Sequence, residues 1–473
     1  MTAVWLLHVL FSLFSFGLVW FIIRYYSDKL ETENLQKVIS IFGLFVIQII
    51  LWAIPIDIYY GNISEKSTMA SFYYGFFVII FFIIFLFLPM GFFYYNDINL
   101  NKKDRIIKAL KLSLFISIIG LIVFIIGFWM NRKNPDVDPW MKEIFTQRSP
   151  VHFAAEFLIG VLAIFGIIQF LKYTIYGLSM LPISLIKGKQ DITIENSQIE
   201  SQIVIAREKR RIIETKYYAL DTPVTKRDQK EIESLKRKER NLERAKNKIN
   251  EDQQKFLSKV IRFCNPMRKF FGFVFLLFSL FLVISVLLSL IYKITSSSCG
   301  SNCGFILNGP TKNPFDLLMV NLSKAFPLDY FVFVAIIVYF IIISLSGMAK
   351  IGLRFLWVEI SRLRKKSTVP EILILMIATL ILIGITMIFE FFYFAPQWAT
   401  FGSQKNEKGE LCSITDIPNC KISGIAIFVY RILSNSFFSV WIWISNLIFV
   451  VLYTLILVIS LKKPASSNFE YDD

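Results

Sequence analysis

Residues 199–220, IESQIVIAREKRRIIETKYYAL, lie in a chain that otherwise consists mostly of long apolar runs. They belong to a strongly basic insert that covers residues 182–269. Nine apolar stretches of bilayer-spanning length divide five before the insert and four after it. A soluble protein would not contain nine such stretches. A protein that lies wholly within the bilayer would not contain a charged insert. The sequence therefore predicts a polytopic membrane protein with one soluble element at its centre.

The composition agrees with this class, because 55% of the 473 residues are hydrophobic and Phe alone occurs 48 times. We predict an all-α fold with about nine transmembrane helices. The first span lacks a basic leader and a cleavage site, so we expect a retained anchor. The nine predicted spans are Val4–Tyr25, Val38–Tyr59, Ala70–Tyr95, Ala109–Met130, Phe153–Leu181, Phe270–Tyr292, Tyr330–Gly347, Ile372–Phe394 and Phe437–Leu461.

Four parts follow from this pattern. Residues 1–181 form an N-terminal transmembrane half, residues 182–269 a cytosolic basic helical hairpin, residues 270–461 a C-terminal transmembrane half, and residues 462–473 a short cytosolic tail. The net charge of +16 is concentrated in the insert and in the connections that flank the spans. There it indicates topology and attraction to membrane lipids rather than binding to nucleic acid.

The positions of Lys and Arg predict the orientation of the spans. If nine spans alternate, most basic connections, the insert and the start of the tail fall on one side, which is then cytosolic. The N-terminus would be lumenal and the C-terminus cytosolic. One connection does not fit this orientation, because its basic residues fall on the predicted lumenal side; they are Arg132, Lys133, Lys142 and Arg148. We keep the orientation because more of the basic connections support it.

Cysteines and a sequon give an independent indication of orientation. Cys299 and Cys303 lie in one predicted lumenal connection, and Cys412 and Cys420 lie in another. Disulfides persist on that side of an endomembrane, so these four are disulfide candidates. Their pairing stays open, although pairing within each loop is the simplest choice, and zinc is the less favoured alternative because no His is near. Asn62 begins an Asn-Ile-Ser sequon in a predicted lumenal connection and is a glycosylation candidate.

The insert carries two apolar stripes of heptad spacing. An Asp-Thr-Pro break at residues 221–223 separates them, so we predict an antiparallel helical hairpin. The hairpin either packs only on itself, docks a cytosolic partner or mediates homo-oligomer formation. The first stripe consists of Ile199, Ile203, Ala206, Arg210, Ile213, Tyr217 and Leu220. The second stripe consists of Leu235, Leu242, Ile249 and Phe256, the partner-docking candidates, with Glu239, Lys246 and Gln253 as polar companions.

Catalytic motifs do not emerge from the sequence. There is no P-loop, and the chain has only two His residues, so we expect neither an enzyme nor an intrinsic metal or cofactor. Ionisable residues near or within spans are the default functional candidates. Our candidates for lining a cavity are Asp57, His152, Glu156, Glu390 and Asn435. The alternative is that these side chains lie at the membrane interface or make local hydrogen bonds.

Several short motifs in the second half of the chain point to a family. They are Ser298-Cys299-Gly300 with Cys303-Gly304, the run Ser323-Lys324-Ala325-Phe326-Pro327-Leu328-Asp329-Tyr330, the run Ile351-Gly352-Leu353-Arg354-Phe355-Leu356-Trp357, Ala395-Pro396-Gln397-Trp398, and Phe401-Gly402-Ser403-Gln404. Together they resemble the lysosomal cobalamin transporter branch of the limb-region family of membrane proteins. The nine-span layout with a central insert is also similar to that family.

This resemblance implies a lysosomal membrane protein that is needed to release cobalamin into the cytosol. It also implies a lysosomal ABC transporter as partner, which would supply the ATP hydrolysis that this chain lacks. The alternative is a membrane scaffold or an endocytic receptor, similar to lipocalin receptors, without transport activity of its own. A wide polar cavity would favour transport, whereas a tightly packed bundle would favour the scaffold.

Overall fold

A computed structural model provides the coordinates, and it describes most of the membrane-spanning part of the chain. Besides the single residues Gln229, Ile232, Leu235, Glu239 and Leu363, the described ranges are 2–27, 34–61, 67–96, 101–130, 149–188, 200–215 without 202 and 206, 265–296, 313–355, 358–361, 368–413 and 420–462. Within these ranges, nine helical segments are long and apolar enough to cross a membrane. The prediction of an all-α polytopic membrane protein is confirmed.

The spanning helices run as follows: α1 Thr2–Tyr26, α2 Asn34–Gly61, α3 Ser67–Phe82 with α4 Leu88–Asn96, α5 Lys102–Met130, α6 Pro150–Gln169 with α7 Ile175–Lys187, α8 Asn265–Ser296, α10 Leu328–Ile351, α11 Pro370–Phe394 and α14 Ser436–Lys462. Two π-helical turns, Ile83–Phe87 and Phe170–Thr174, join α3 to α4 and α6 to α7. Each joined pair therefore forms one continuous span.

Several shorter elements lie in what the sequence presents as connections. They are the helices α9 Pro314–Ser323, α12 Pro396–Phe401 and α13 Gly424–Leu433, and the strands β1 Leu353–Phe355 and β2 Val358–Ser361. The strands pair in antiparallel fashion, and Arg354 faces Glu359 in their register. A helix of six to ten residues is too short to cross a bilayer, so none of these three helices forms a span.

Helix α11 forms the core of the larger of two compact units. This unit comprises Met1–Ser179 and Phe278–Leu457, and the other comprises Met180–Leu277 and Val458–Asp473. In the most apolar window of α11, 83% of the residues are buried, against 17% for α5. Helix α11 packs on α2, α4 and α6. A helix that is apolar all round and buried all round belongs in a core, whereas the exposed apolar side chains of α5 suit contact with lipid.

Glycines allow α7 and α10 to approach very closely. A Cβ built on Gly177 would lie 1.9 Å from the carbonyl oxygen of Ile343, and one on Gly347 would lie 2.0 Å from that of Tyr173. Beside this contact, the hydroxyl groups of Thr174 and Ser344 are hydrogen-bonded at 2.8 Å. Small residues with a hydroxyl pair are typical of helix packing in membranes, where apolar burial gives no net attraction between helices.

The smaller unit contains the described part of the insert. Ile203 is buried and Ile213 and Leu235 are half-buried, whereas Ile205 and Ile212, which lie off the predicted stripe, are exposed. The predicted hairpin as a whole stays a prediction, because Leu242, Ile249 and Phe256 lie outside the described residues.

An ion-pair cluster joins the two described segments of the insert. Arg210 Nη1 lies 2.9 Å from Glu239 Oε2, and Arg207 Nε donates a hydrogen bond to Glu239 Oε1. The hydrogen bond from Arg207 lowers the pKa of the Glu239 carboxyl, and the charge of Arg210 adds to this effect. Arg210 is the charged member of the first stripe and Glu239 is one of the polar companions of the second, so each neutralises the other.

Candidate functional site: buried carboxylates around the short helices

The Asp57 carboxylate, from α2, holds the N-terminus of α13. The backbone N–H of Ile425 donates to Asp57 Oδ2 at 2.6 Å, and the Tyr73 hydroxyl approaches the same oxygen at 3.4 Å. Ser423 is the N-cap residue of α13 and accepts a hydrogen bond from the N–H of Ala426. Four N–H groups at a helix start lack partners within the helix. Asp57 and Ser423 each accept from one of these groups at the start of α13.

The Asp316 carboxylate, from α9, holds the N-terminus of α12. The backbone N–H groups of Gln397 and Trp398 donate to its two carboxylate oxygens at 3.1 and 2.9 Å. The indole N–H of Trp398 donates to Asp329 at 3.2 Å, so two carboxylates hold one tryptophan. The side chain of Gln397 donates to the carbonyl oxygen of Cys412 at 2.9 Å. Gln397 therefore links Asp316 to the loop that follows α12, through its backbone N–H and its side chain.

Asn313 is the N-cap residue of α9 and is saturated with hydrogen bonds. Its Oδ1 accepts from the N–H groups of Phe315 and Asp316. Its Nδ2 donates to Ser289 Oγ at 2.9 Å and to the carbonyl oxygen of Phe394 at 2.8 Å. One buried amide therefore ties α9 to α8 and α11.

A second cluster joins α3, α6 and α13. The Tyr74 hydroxyl donates to Glu156 Oε1 at 2.6 Å, and Arg431 Nη1 lies 3.6 Å from the same oxygen. Arg431 also donates to the Tyr74 hydroxyl at 3.3 Å. The His152 ring stacks on the Tyr74 ring with centroids 4.4 Å apart. The Glu156 side chain is 1% exposed and that of Arg431 is 12% exposed, so the pair is largely shielded from solvent.

The structure thus brings three of the five predicted cavity-lining residues, Asp57, His152 and Glu156, to the surroundings of α13. Asn435 lies just beyond the end of α13 and accepts from the N–H of Phe437 at the start of α14. Glu390 lies apart from them and is buried in α11.

A cavity between α2, α10 and α11 lies elsewhere in the core. It measures about 20 Å³ and is lined by apolar side chains together with Gln48 and Ser344. This is room for one water molecule. None of the five predicted cavity-lining residues is among the residues that line this particular cavity.

Two of the four disulfide candidates are joined. Cys412 and Cys420 form a disulfide in the loop between α12 and α13. The other pair, Cys299 and Cys303, and the glycosylation candidate Asn62 lie outside the described residues.

Hydrogen-bond geometry limits what these carboxylates do chemically. Asp57 and Asp316 accept from backbone N–H groups at helix starts, and Glu156 is paired with a cation. Carboxylates that are engaged in such contacts fix the positions of helices, and their oxygens are not available to act as bases on a substrate. The cluster is a structural junction between the spanning helices and the disulfide loop.

Sequence reasoning missed Asp316, Asn313 and Arg431. The pair Asn313-Pro314 is a signal for a helix start, since Asn is a favoured N-cap and Pro a favoured first residue. That signal predicts α9. It does not predict that Asp316 contacts Gln397 and Trp398, which follow it by 81 and 82 positions in the chain. Arg431 gives no comparable signal, because its partners come from α3 and α6.

We expect the Glu156–Arg431 pair to behave as a coupled unit. Glu156→Gln or Arg431→Met alone leaves one charge buried without its counter-charge, which costs about 3 kcal/mol of unfolding free energy. The double variant should cost clearly less than the sum of the two. Thermal unfolding of the purified chain in detergent measures this, with Lys408→Met in the exposed loop as the control. Additive losses would contradict the coupling.

The fold and this junction define a polytopic α-helical membrane protein without an evident catalytic centre among the described residues. A family model described as "LMBR1-like membrane protein" matches residues 3–269, more than half of the chain, so the chain belongs to that family. The motifs that carried the resemblance in the sequence lie beyond this match, in the second half.

Curated relatives extend the similarity over nearly the whole chain. It is 26% identical to the "Probable lysosomal cobalamin transporter" of Nematostella vectensis, covering 100% of this chain and 95% of the relative. It is 27% identical to the human "Lysosomal cobalamin transport escort protein LMBD1", covering 98% and 94%. A "Probable lysosomal cobalamin transporter" of Dictyostelium discoideum is 29% identical, covering 96% and 94%. No solved structure matches the chain significantly.

Proposed function

We propose that this chain is a lysosomal membrane protein that takes part in the export of cobalamin to the cytosol, as the partner of a separate transporter. The observation that supports the partner role is the tight packing of α2, α10 and α11 where their described residues line a cavity. The cavity between α2, α10 and α11 has a volume of about 20 Å³ and takes one water, whereas a corrinoid is many times larger. The names of the relatives support the substrate, and the word "escort" in several of them supports the partner role.

The partner in this proposal is a lysosomal ABC transporter. Its ATP hydrolysis would drive the transport step, since the chain carries no P-loop sequence. The N-terminus would then be lumenal and the C-terminus cytosolic. The basic connections support this orientation, and so does the Cys412–Cys420 disulfide, which lies in a connection assigned to the lumen.

The cytosolic insert is the proposed docking element. Its candidate stripe is Leu235, Leu242, Ile249 and Phe256. Of these, the structure describes Leu235, which is half-buried. The exposed Ile205 and Ile212 offer a second apolar row, one heptad apart, on the outside of the first segment.

A second candidate function is autonomous transport, which the word "transporter" in two of the relatives' names favours. The scaffold or endocytic receptor is the remaining alternative. Autonomous transport predicts efflux from the purified chain alone, whereas the partner role and the scaffold differ in whether the chain increases efflux by the ABC transporter.

Cobalamin efflux from proteoliposomes separates these functions. We expect no efflux from vesicles that hold this chain alone, and efflux with ATP when the ABC transporter is added. The ABC transporter alone should give less efflux than the two proteins together. Efflux from the chain alone would overturn the partner role, and no gain from adding the chain would favour the scaffold. Leu235→Asp, with Lys236→Asp as the matched control on the neighbouring position, tests whether the insert docks, through co-purification of the two proteins.

A further inference from the structure

Three helix ends meet in the smaller unit. Lys187, the last residue of α7, donates through Nζ to the carbonyl oxygens of Ser460 and Leu461 in the last turn of α14, at 2.9 and 2.7 Å. Arg268, in the first turn of α8, lies against Gly188, just after α7. Its Nη2 is 2.4 Å from where a Cβ on Gly188 would be. The end of α7, the start of α8 and the end of α14 therefore form one junction.

Cations dominate this junction. Lys187, Arg268, Lys269 and Lys462 lie at or next to the three helix ends, and none of the three helices contains an Asp or Glu. Arg268 and Lys269 are in the first turn of α8, where the helix dipole disfavours positive charge and favours an anion. The Nε of Arg268 is buried and has no hydrogen-bond partner among the described residues. Because the dipole disfavours two cations at a helix start, a negative group bound there would be stabilising.

Exposed apolar side chains adjoin the cations. Phe270 is 65% exposed, Phe271 is 46% exposed and Leu461 is 55% exposed. Exposed apolar side chains of spanning helices face lipid, so these cations lie next to a surface that acyl chains cover. A molecule with a phosphate next to acyl chains would satisfy both parts of the surface.

We infer that this junction is a binding site for an anionic phospholipid. Arg268, Lys269 and Lys462 contact the phosphate and the acidic headgroup, and the acyl chains lie against Phe270, Phe271 and Leu461. Lys187 holds the last turn of α14, and with it Lys462, at the same junction. The site differs from general attraction of a basic protein to a membrane, because it needs this particular arrangement of three helix ends.

Native mass spectrometry of the purified full chain in detergent tests the site. Phosphatidylserine and phosphatidylcholine are added in separate titrations, and glycerophosphoserine represents the same headgroup without acyl chains. We expect the chain to bind phosphatidylserine more tightly than phosphatidylcholine. Arg268→Gln with Lys269→Gln should weaken phosphatidylserine binding roughly thirtyfold, since each cation near a membrane surface contributes about a five- to tenfold factor. Lys462→Gln, an exposed change, should weaken it about fivefold.

The matched control is Lys102→Gln with Lys103→Gln. These lysines also lie in the first turn of a spanning helix, α5, and are exposed. This variant should bind phosphatidylserine like the unchanged chain. An equal loss in both double variants would show diffuse attraction and overturn the site. Equal binding of phosphatidylserine and phosphatidylcholine, or binding of glycerophosphoserine as tight as that of the lipid, would overturn it as well.

Discussion

Replacement of Gly177 or Gly347 by alanine is expected to destabilise the bundle by about 3 kcal/mol or more, at the upper end for overpacking. The new methyl group would lie 1.9 or 2.0 Å from a backbone carbonyl oxygen of the facing helix. A side chain in that place would rotate away, but a carbonyl oxygen moves only with its helix. Helices α7 and α10 must therefore separate, and the hydrogen bond between Thr174 and Ser344 lengthens with them.

Two other glycines provide matched controls. A Cβ on Gly17 of α1 or Gly75 of α3 meets no atom within 4 Å. Alanine there should be neutral or stabilising by up to about 1 kcal/mol, because it has the higher helix propensity. Thermal unfolding monitored by size-exclusion chromatography compares the four variants in one detergent. If Gly177→Ala is as stable as Gly17→Ala, the close contact between α7 and α10 is not present.

Hydropathy and charge predict the spans because a bilayer imposes a length and a composition on any helix that crosses it. The fifth predicted span, Phe153–Leu181, lies inside the observed segment Pro150–Lys187, and the eighth, Ile372–Phe394, matches α11 to within two residues. Each span can be recognised from its own sequence, without knowledge of the helices on which it packs.

The same reasoning cannot predict the junction around α12 and α13. Both helices are too short to stand out by hydropathy, and each starts beside a carboxylate from a distant part of the chain. Asp57 precedes its partner Ile425 by 368 positions. Asp57 and Glu156 are recognisable as unusual residues near span ends, but their roles depend on the backbone N–H of Ile425 and on Arg431, which give no comparable signal.

Asp57 and Glu156 lie near the ends of α2 and α6, so the junction belongs to one end of the bundle rather than to its centre. One end carries the disulfide loop, the short helices and the buried carboxylates. The insert belongs to a separate unit and carries the proposed docking stripe. A change that loosens the junction should therefore leave the spanning helices in the membrane while it alters the loop between α12 and α13.

Asp316→Ala is the sharpest test of that separation. It removes the acceptor for the backbone N–H groups of both Gln397 and Trp398, which stay buried. Loss of a charged acceptor from two buried donors should cost about 3 kcal/mol of unfolding free energy. Asp316→Asn keeps one oxygen and should cost roughly half as much. Asp104→Ala, an exposed residue in the first turn of α5, is the control and should cost less than about 1 kcal/mol.

Hydrogen exchange distinguishes a local effect from general unfolding in these variants. In Asp316→Ala, the amides of Gln397 and Trp398 should exchange much faster, and so should the segment up to Cys412, whose carbonyl oxygen accepts from the Gln397 side chain. Amides in the middle of α2 and α11 should keep their protection, since their hydrogen bonds lie within the helices. Unchanged exchange at Gln397 and Trp398 would mean that Asp316 does not hold α12. Equal acceleration in α2 and α11 would mean that α12 supports the whole bundle rather than the loop.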